Sequence, residues 1–523
     1  MGKRRDDVSF SFTKGNVDTL EAPAEGGAET SVVDEVTPQE EPEAATGREH
    51  KQFRILIMGD FTGRTNRSVC EPGDIGGRKV RVVDVDNLDG TLAALKPEIR
   101  LPVSETAVIP LRFKGMEDFR PDALIGQIAA FQGMLNLRNQ LKDNKTFSQA
   151  ADTVRKLFAV EGGKPTAPTT PPAEPTGAES DFEQMLARPI APKNAADANA
   201  DAIIANLVAG YGVPEADPHQ GQMMELVEDA LAAGLRAVLR HPALQAVEGA
   251  WRSLEFLVSR LDTDEDLKLC VLDVSKEELY ADLTGGEIEN SGLFKVVVER
   301  ARVPGAIPFS LVVGDYEFDQ SEPNVELLGK LAAVMHAAHI PFLAGATAKV
   351  PGFKSFAEVP DAGQWRAPED LGAWEKLRGN ANAAYVGVTA PRFLLRLPYG
   401  PKTDAIEAFG FIEIPGVPAI EQCLWGNGAF LVALLFGQAF LDNGWDGIDP
   451  GFDVFNLPCY MALVDGDKEM TPCAQGYLSD RIGDILHQLG IIPLLSVRNA
   501  AAVKVAGIHS MAKGKPLAAS WGA

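Results

Sequence analysis

Three cations near the middle of the chain offer the most direct chemistry in this sequence. Arg392 and Arg396 stand four residues apart, and Lys402 follows after a break at Pro398 and Gly400. Arginine presents a planar fork of donors, so these residues would suit a grip on a phosphate or carboxylate group. The alternative is that they pair with some of the 73 acidic side chains and fix one subunit against another, because charges are seldom buried unpaired. We favour this alternative and predict that the chain is not an enzyme.

Two other candidate sites carry weaker signals. His336 and His339 end a predicted helix and would suit zinc, but the Glu of an H-E-x-x-H motif is missing and no third ligand is apparent. They more simply occupy the last turn of that helix, where the helix dipole favours positive charge. The GDFTGRT stretch at 59–65 follows a predicted strand but lacks the spacing of a phosphate-binding loop. No nucleophile with a base beside it is evident either, so we predict no cofactor and no metal.

The elements that must position the cations are two apolar runs. FSLVVGDYEF covers 309–318, and YVGVTAPRFLLRLPYGPKT covers 385–403 and carries the two arginines. Each has the length of a buried strand and ends at Gly, Pro or Asp, which predicts an interior strand that leads to a polar turn at a sheet edge. A predicted helix at 321–339 and a predicted strand at 340–346 lie between them. This alternation predicts an α/β (α+β) fold with mixed sheets flanked by helices.

Composition limits the class of protein. A chain of 523 residues is too long for a single core, and its net charge of −24 argues against nucleic acid or anionic membrane as a partner. Its five cysteines are scattered, which fits neither a disulfide framework nor a metal site. The basic N-terminus lacks the apolar stretch of a signal peptide, and no run approaches the roughly 20 residues that span a bilayer. We predict a cytoplasmic protein without direct membrane insertion.

Two shifts in composition divide the chain. Residues 17–50 hold ten acidic side chains against one Arg, which predicts a disordered acidic linker. Residues 161–218 are rich in Pro and Ala and predict a second linker, with a short amphipathic helix. The linkers separate predicted domains at 51–160 and 219–523 and leave a short N-terminal segment at 1–16.

Both short amphipathic segments predict contacts with another surface. Val8, Phe10 and Phe12 fall on one face of a half-buried strand. A lone strand is not stable in water, so we predict that it adds to a sheet edge of its own chain or of another molecule. The alternative is a disordered tail whose alternation is accidental. In the second linker, one apolar stripe at i, i+3 and i+4 is formed by Phe182, Met185 and Leu186.

Long ordered motifs extend over residues 220–510. They read RHPALQAVEGAWRSLEFLV, KLCVLDVSKEEL, FSLVVGDYEF, PRFLLRLPYGPKT, LWGNGAF and LSDRIGDILHQLGIIPL. Together they resemble the large sheath subunit of the bacterial type VI secretion system, the TssC (VipB, ImpC) family. The motif positions to which this resemblance assigns a structural role are Arg240, Pro242, Glu248, Trp251, Arg252, Gly314, Asp315, Tyr316, Pro391, Arg392, Arg396, Pro398, Tyr399, Gly400, Trp425, Gly426 and Asn427.

Motifs of a second kind occupy the 51–160 region. GDFTGR, DVDNLDGTLAAL and FKGMEDFRPDALIGQIAAFQGMLNLRNQL resemble the small sheath subunit of the same system, the TssB (VipA, ImpB) family. That family also begins with a strand like VSFSF close to its domain, whereas the acidic linker intervenes here. The two resemblances imply a natural fusion of small and large subunits, with the Pro-rich stretch at 161–180 as its junction.

The resemblance implies a structural subunit of a contractile sheath, a helical assembly whose contraction drives an inner tube for protein secretion. Implied partners are copies of itself or other sheath subunits, the inner-tube protein, the baseplate and, through residues 182–186, a ClpV-type disassembly ATPase. The large-subunit family continues past this point with strands that accept a neighbour's donor strand, whereas this chain stops soon after 491–495. A second hypothesis is therefore a non-polymerising, sheath-derived adaptor or capping protein of the same machine.

Overall fold

Strands form one large sheet and three small ones in the part of the chain that the structure describes. The computed structural model describes residues 52–104, 107–143, 145–158, 220–416, 420–464 and 467–521. The strands are β1 (Phe53–Gly59), β2 (Arg81–Val83), β3 (Glu98–Ser104), β4 (Ala107–Arg112), β5 (Leu267–Asp273), β6 (Leu311–Phe318), β7 (Phe342–Ala346), β8 (Val386–Ala390), β9 (Phe393–Leu394), β10 (Trp425–Gly426), β11 (Asp453–Phe455), β12 (Met461–Val464), β13 (Asp467–Met470), β14 (Ile491–Ser496) and β15 (Ala502–Val505).

Helices begin where the sequence supplies caps. Pro121 and Pro242 occupy first turns, and the Ser275 hydroxyl accepts from the Glu278 N–H while that glutamate accepts from the Ser275 N–H. No helix among the described residues is both long and apolar enough to cross a membrane. The helices are α1 (Leu88–Leu95), α2 (Pro121–Gln127), α3 (Ala129–Lys142), α4 (Phe147–Phe158), α5 (Gln220–Leu239), α6 (Pro242–Val258), α7 (Lys276–Thr284), α8 (Gly292–Phe294), α9 (Glu322–Ala338), α10 (Gly372–Arg378), α11 (Ala429–Asn443) and α12 (Asp480–Gln488).

Within the described ranges, the large sheet has nine strands in the order β11-β15-β14-β8-β7-β6-β1-β5-β2. Its six inner strands, from β14 to β5, are parallel, and the strands outside them are antiparallel. β1 lies inside the sheet, with Ile57 opposite Val271 of β5 on one side and Val313 of β6 on the other. β1 and β6 are nearly continuous apolar runs because both faces of a parallel sheet are covered by helices.

The two faces of the sheet bury separate cores. Ile55 and Ile57 of β1 point to a core that includes side chains of α1 to α6 and α11. Leu56 and Met58 point to the opposite core, which includes side chains of α7 to α10 and α12. Successive side chains of a strand alternate between faces, so one strand contributes to both cores. The predicted α/β class is confirmed.

One predicted strand is shorter than its apolar run. The 385–403 stretch was predicted as one interior strand, but β8 ends at Ala390, and the peptide bond to Pro391 is cis. Proline has no N–H to give to the strand ladder, so β8 stops there. The chain then forms the short strand β9, which pairs with β10 in a separate small sheet. The arginines of this stretch therefore lie beyond the large sheet.

Several predictions concern residues outside the described ranges. These are the strand that carries Val8, Phe10 and Phe12, the acidic linker at 17–50, and the linker at 161–218. The short helix predicted within that second linker, with Phe182, Met185 and Leu186, also lies there. The structure describes none of these segments, so they stay predictions.

Candidate functional site

Arg396 lies at the centre of a buried ion network. Its Nε donates to Glu248 Oε1 at 2.8 Å, and its two terminal nitrogens donate to the Glu413 carboxylate at 2.8 and 3.1 Å. Arg252 donates from Nε to the same Glu248 oxygen at 2.7 Å. All four side chains are buried or nearly so. Buried charges are tolerated when they are paired and hydrogen-bonded, as these are.

The ion pairs of this network stabilise the charged forms of Glu248 and Arg396. Burial alone would raise the pKa of Glu248, but the Arg396 and Arg252 guanidinium groups outweigh it and lower that pKa below its ordinary value. The pKa of Arg396 is raised well above its ordinary value, because Glu248 and Glu413 overcome the effect of its burial. The Arg396 guanidinium is thus paired with two carboxylates of its own chain. The predicted pairing with acidic side chains occurs, for Arg396, within one chain.

Tyr399 joins this network to the N-terminal part of the chain. Two guanidinium groups lie over its ring, Arg396 at 4.3 Å and Arg120 at 5.6 Å from the ring centroid. Arg252 donates to the Tyr399 hydroxyl at 3.3 Å, and burial raises the pKa of that hydroxyl to about 12. Arg120 in turn holds Asp404 through two hydrogen bonds, at 3.0 and 2.8 Å.

We call the contact between residues 52–158 and residues 220–521 the seam. The described residues between 52 and 521 belong to one compact unit. Strand β1 extends the seam into the middle of the large sheet. Trp251 of α6 adds to it, because its Nε1 donates to the Phe61 carbonyl at 2.8 Å and its ring meets the Phe61 ring edge-on at 5.3 Å. The Asp122 carboxylate accepts from the backbone N–H groups of Glu407 and Ala408.

A second ion cluster lies at the seam around Glu278. Arg64 donates to this carboxylate at 3.0 and 2.9 Å, and Arg78 donates to it at 2.9 and 2.6 Å. Burial alone would raise the pKa of Glu278, but Arg78 and the backbone N–H groups of Ser275 and Glu71 lower it to about 2. The carboxylate is therefore charged at any physiological pH and binds two arginines from the other side of the seam.

The end of β6 is shaped by close packing. A methyl group added at Gly314 would lie 2.7 Å from the Phe342 ring, so only glycine fits there. The Tyr316 hydroxyl donates to the Val274 carbonyl at 2.8 Å, and Asn427 Nδ2 donates to the Tyr316 carbonyl at 3.0 Å. Asp315 lies between Gly314 and Tyr316 in this strand. Burial and then the negative charge of Glu317 raise the pKa of Asp315 to about 7, although nearby Arg392 opposes the shift.

The structure gives the three predicted cations different surroundings. Arg396 is buried, Lys402 is exposed, and Arg392 is partly exposed, with Gln475 Oε1 at 3.2 Å from its Nε and Glu317 at 3.6 Å. The three side chains therefore do not form a single anion-binding site. His339 contacts the Tyr385 hydroxyl through Nδ1 at 3.1 Å. Among the described residues, no group of three His, Cys, Asp or Glu side chains is arranged to hold a metal ion.

The remaining motif positions shape the backbone around the network. Arg240 donates to the Glu413 carbonyl at 3.2 Å, and the Gly400 N–H donates to the Asp404 carbonyl at 2.8 Å. Trp425 Nε1 donates to the Ile420 carbonyl at 2.8 Å. Pairing of β9 with β10 places Gly426 opposite Phe393. Pro242 begins α6, and Pro391 and Pro398 flank the segment that carries the arginines.

Sequence reasoning singled out Glu248 but missed Glu413, Glu278 and the arginines at the seam. Glu413 stands in an irregular segment with no periodicity to mark it. Ser275 and Glu278 do carry a signal, since S-x-x-E before a helix is a capping box. That motif predicts where α7 begins, but not that Glu278 also binds Arg64 and Arg78.

Comparisons with known proteins show which families the two sides of the seam resemble. The family described as EvpB/VC_A0108, tail sheath N-terminal domain, matches residues 221–512. The sheath protein TssC1 of the Pseudomonas aeruginosa type VI secretion system is 32% identical over 354 residues, which cover 64% of this chain and 71% of TssC1. The chain belongs to the tail sheath family of type VI secretion systems.

The N-terminal part is also of sheath type. The family described as Type VI secretion system, VipA, VC_A0107 or Hcp2, matches residues 40–159. The sheath protein TssB1 of Pseudomonas aeruginosa is 28% identical over 102 residues, which cover 18% of this chain and 57% of TssB1. The chain therefore spans less than two thirds of TssB1. One polypeptide joins counterparts of both sheath subunits, as the sequence motifs predicted.

Proposed function

We propose that this chain is the structural subunit of a contractile sheath, in which copies stack helically and the switch between two packings drives an inner tube outward for protein secretion. Subunits with unlike faces whose rotation does not close build helical filaments. Interfaces with two stable arrangements can then release their packing energy in a contraction. The proposal needs no reaction by the subunit itself and assigns it no catalytic site.

One observation supports this proposal above the others. Strand β1, from the part that matches the small-subunit family, is hydrogen-bonded between β5 and β6 of the part that matches the large-subunit family. The two parts thus form one body with a continuous sheet, as a rigid building block requires. Covalent joining fixes a one-to-one ratio of the parts and raises the effective concentration of each for the other.

We assign the partners by the same proposal. They are copies of this chain or other sheath subunits in the cytoplasm, an inner-tube protein, a baseplate, and a ClpV-type ATPase that would contact Phe182, Met185 and Leu186. The N-terminal strand with Val8, Phe10 and Phe12 would add to the sheet of a neighbouring subunit. Its apolar face supplies specificity, and its backbone hydrogen bonds supply affinity.

Electron microscopy of the purified full chain tests the proposal. We expect tubes with a toothed cross-section, formed by the chain alone or after mixing with separate sheath subunits of the same cell. Monodisperse particles under all these conditions would contradict the sheath function and favour a non-polymerising adaptor.

A pair of variants tests the role of the N-terminal strand. Val8→Asp, Phe10→Asp and Phe12→Asp together place charges on its apolar face, and we expect this variant to stay folded but to form no tubes. Ser9→Asp with Ser11→Asp places charges on the other face, and we expect tubes as in the unmodified chain. If both variants form tubes equally well, the N-terminal strand does not take part in the assembly.

A further inference from the structure

The two ends of the large sheet carry opposite charge. Strand β11 stands at one end of the strand order and β2 at the other, and neither has a second neighbour among the described strands. Next to β2, residues 78–81 read RKVR and hold no carboxylate. Next to β11, residues 442–453 hold no Lys or Arg, and their exposed aspartates are Asp442, Asp446, Asp449 and Asp453. We call residues 442–455 the acidic end, and residues 54, 78–82 and 296–309 together the basic end.

The basic end contains an apolar pocket of about 180 Å³. Val80, Val296, Ile307 and Phe309 contribute to its walls, together with the side chains of Arg54 and Arg300. Val82 is 44% exposed and projects from the same face of the strand as Val80, because side chains two residues apart share a face. A cavity of about 150 Å³ holds benzene, so this pocket has room for one aromatic ring.

The two arginines of the pocket are held by backbone carbonyls. Arg54 donates to the Ile307 carbonyl at 2.6 Å, and Arg300 donates to the Gly76 carbonyl at 2.6 Å. Within the described residues, neither arginine makes an ion pair with a carboxylate, although Glu299 is adjacent to Arg300 in sequence. The carbonyls fix the two guanidinium groups without compensating their charge. On a chain with a net charge of −24, such a pocket favours an anionic partner that also carries an apolar group.

The acidic end presents an aromatic side chain between carboxylates. Phe452 is 50% exposed and stands between Asp449 and Asp453 in sequence. Lys504 lies opposite Asp453 in the strand register, but the structure shows no ion pair between them. An exposed ring flanked by carboxylates complements an apolar pocket that is lined by two guanidinium groups. The chain therefore carries both halves of a contact, on opposite ends of one sheet.

The edge of β11 is not open to another strand. Arg260 donates to the Phe455 carbonyl at 2.9 Å and to the Asn456 carbonyl at 2.6 Å. These carbonyls are acceptors that an added strand would need, and a side chain that occupies them blocks edge-to-edge pairing. A contact between the acidic end and the basic end is therefore made by side chains and does not continue the sheet.

We propose that the acidic end of one copy docks on the basic end of the next copy, with the Phe452 ring in the pocket. Asp449 and Asp453 then lie beside its two guanidinium groups. An aromatic anchor in a pocket is a common form of interface hot spot. Because the two ends are different surfaces of one chain, the contact is head-to-tail and can repeat from copy to copy. It rests on the proposed sheath function, since it specifies one contact between stacked copies.

Photo-crosslinking between copies of the full chain tests this contact. An isotope-labelled chain with p-benzoylphenylalanine in place of Phe452 is mixed with unlabelled, unmodified chain, irradiated and digested. We expect crosslinked peptides that join position 452 of the labelled copy to residues 296–309 of the unlabelled copy. The same amino acid in place of Val108, which is 53% exposed in β4 and outside both ends, should not reach residues 296–309. Crosslinks from position 452 to other surfaces only, or none, would overturn the proposal.

Charge reversal provides a second test with its own control for folding. Arg300→Glu reverses charge at the basic end, and Asp449→Arg with Asp453→Arg reverses it at the acidic end. We expect each variant alone to self-associate at least about tenfold more weakly than the unmodified chain in sedimentation velocity, because like charges then face each other. A mixture of the two should regain association, since the reversed ends are again opposite in charge. This recovery requires both variants to be folded.

The matched control for charge reversal is Arg366→Glu. Arg366 is exposed and outside both ends, so this variant should associate like the unmodified chain. Unchanged association of the Arg300 variant, or no recovery on mixing, would contradict the proposal. Tubes of the unmodified chain without crosslinks from position 452 would leave the sheath function standing and exclude this contact. The expected crosslinks without tubes would support the contact and count against the sheath function.

Discussion

Arg120 holds Asp404 across the seam through two hydrogen bonds, at 3.0 and 2.8 Å, in the paired geometry that only arginine offers. Both side chains are partly exposed, at 29% and 41%. Arg120→Ala and Asp404→Ala in a double-mutant cycle should therefore give a coupling free energy of about 0.5–1 kcal/mol, from denaturant unfolding. Lys354 and Glu358 are 80% and 65% exposed, so the same cycle on them is the control and should give a value near zero. Equal coupling in the two cycles would show that Arg120 does not help to hold the seam.

The buried network predicts a larger effect at Arg396. Arg396→Met would leave the carboxylates of Glu248 and Glu413 buried without their main partner. We expect a loss of about 3–5 kcal/mol in the free energy of unfolding, the usual cost of breaking a buried pair. Arg112→Ala removes an arginine that is 69% exposed and should cost less than about 1 kcal/mol. A loss at Arg396 no larger than at Arg112 would contradict the assigned role of the network.

The raised pKa of Asp315 predicts how stability depends on pH. Its pKa is about 7 in the folded chain against an ordinary value of 3.8, so the folded state binds the extra proton between these values. The resulting stability is fully present below about pH 4 and is lost as the pH rises through about 7, by up to about 1.4 kcal/mol per pH unit. Unfolding midpoints between pH 5 and 8 should show this fall, and Asp315→Asn should reduce it.

Two controls accompany that pH experiment. Glu278, with its lowered pKa of about 2, contributes stability that is lost only as the pH falls below about 4.5, outside the measured range. Glu358→Gln changes a carboxyl that is 65% exposed and should leave the slope unchanged. An Asp315→Asn chain with the same slope as the unmodified chain would exclude Asp315 as its origin.

The position of β1 predicts that the two parts stay together without a covalent link. A protease site inserted within residues 161–180 would allow the purified chain to be cut between the parts. We expect the fragments to co-elute in size-exclusion chromatography, because β1 is hydrogen-bonded on both sides, to β5 and β6. Denaturant should separate them. Separate peaks in native buffer would show that the seam depends on the linker.

The sequence predicted single strands and helices best, because these depend on residues close together in the chain. β1 and β6 were evident as apolar runs because both faces of these strands are buried. α9 was evident as a predicted helix at 321–339.

Contacts distant in sequence could not be predicted in the same way. Insertion of β1 between β5 and β6 pairs residues more than 200 positions apart, and no local pattern specifies such a neighbour. Arg396 was expected to pair with carboxylates, but Glu413 has no periodic context to single it out among 73 acidic residues. The resemblance to two sheath subunits indicated that the parts belong together. The residues that form the seam could be identified only in the structure.

The inner position of β1 has a consequence for synthesis on the ribosome. This strand is translated before its neighbours in the sheet, and the neighbouring β6 begins only at Leu311, roughly 250 residues later. At about 5–20 residues per second, the nascent strand waits roughly 10–50 s for its second neighbour. Made as a separate polypeptide, it would have to find that place by diffusion. Here one messenger RNA encodes both parts, so β1 pairs with β5 and β6 of the same molecule.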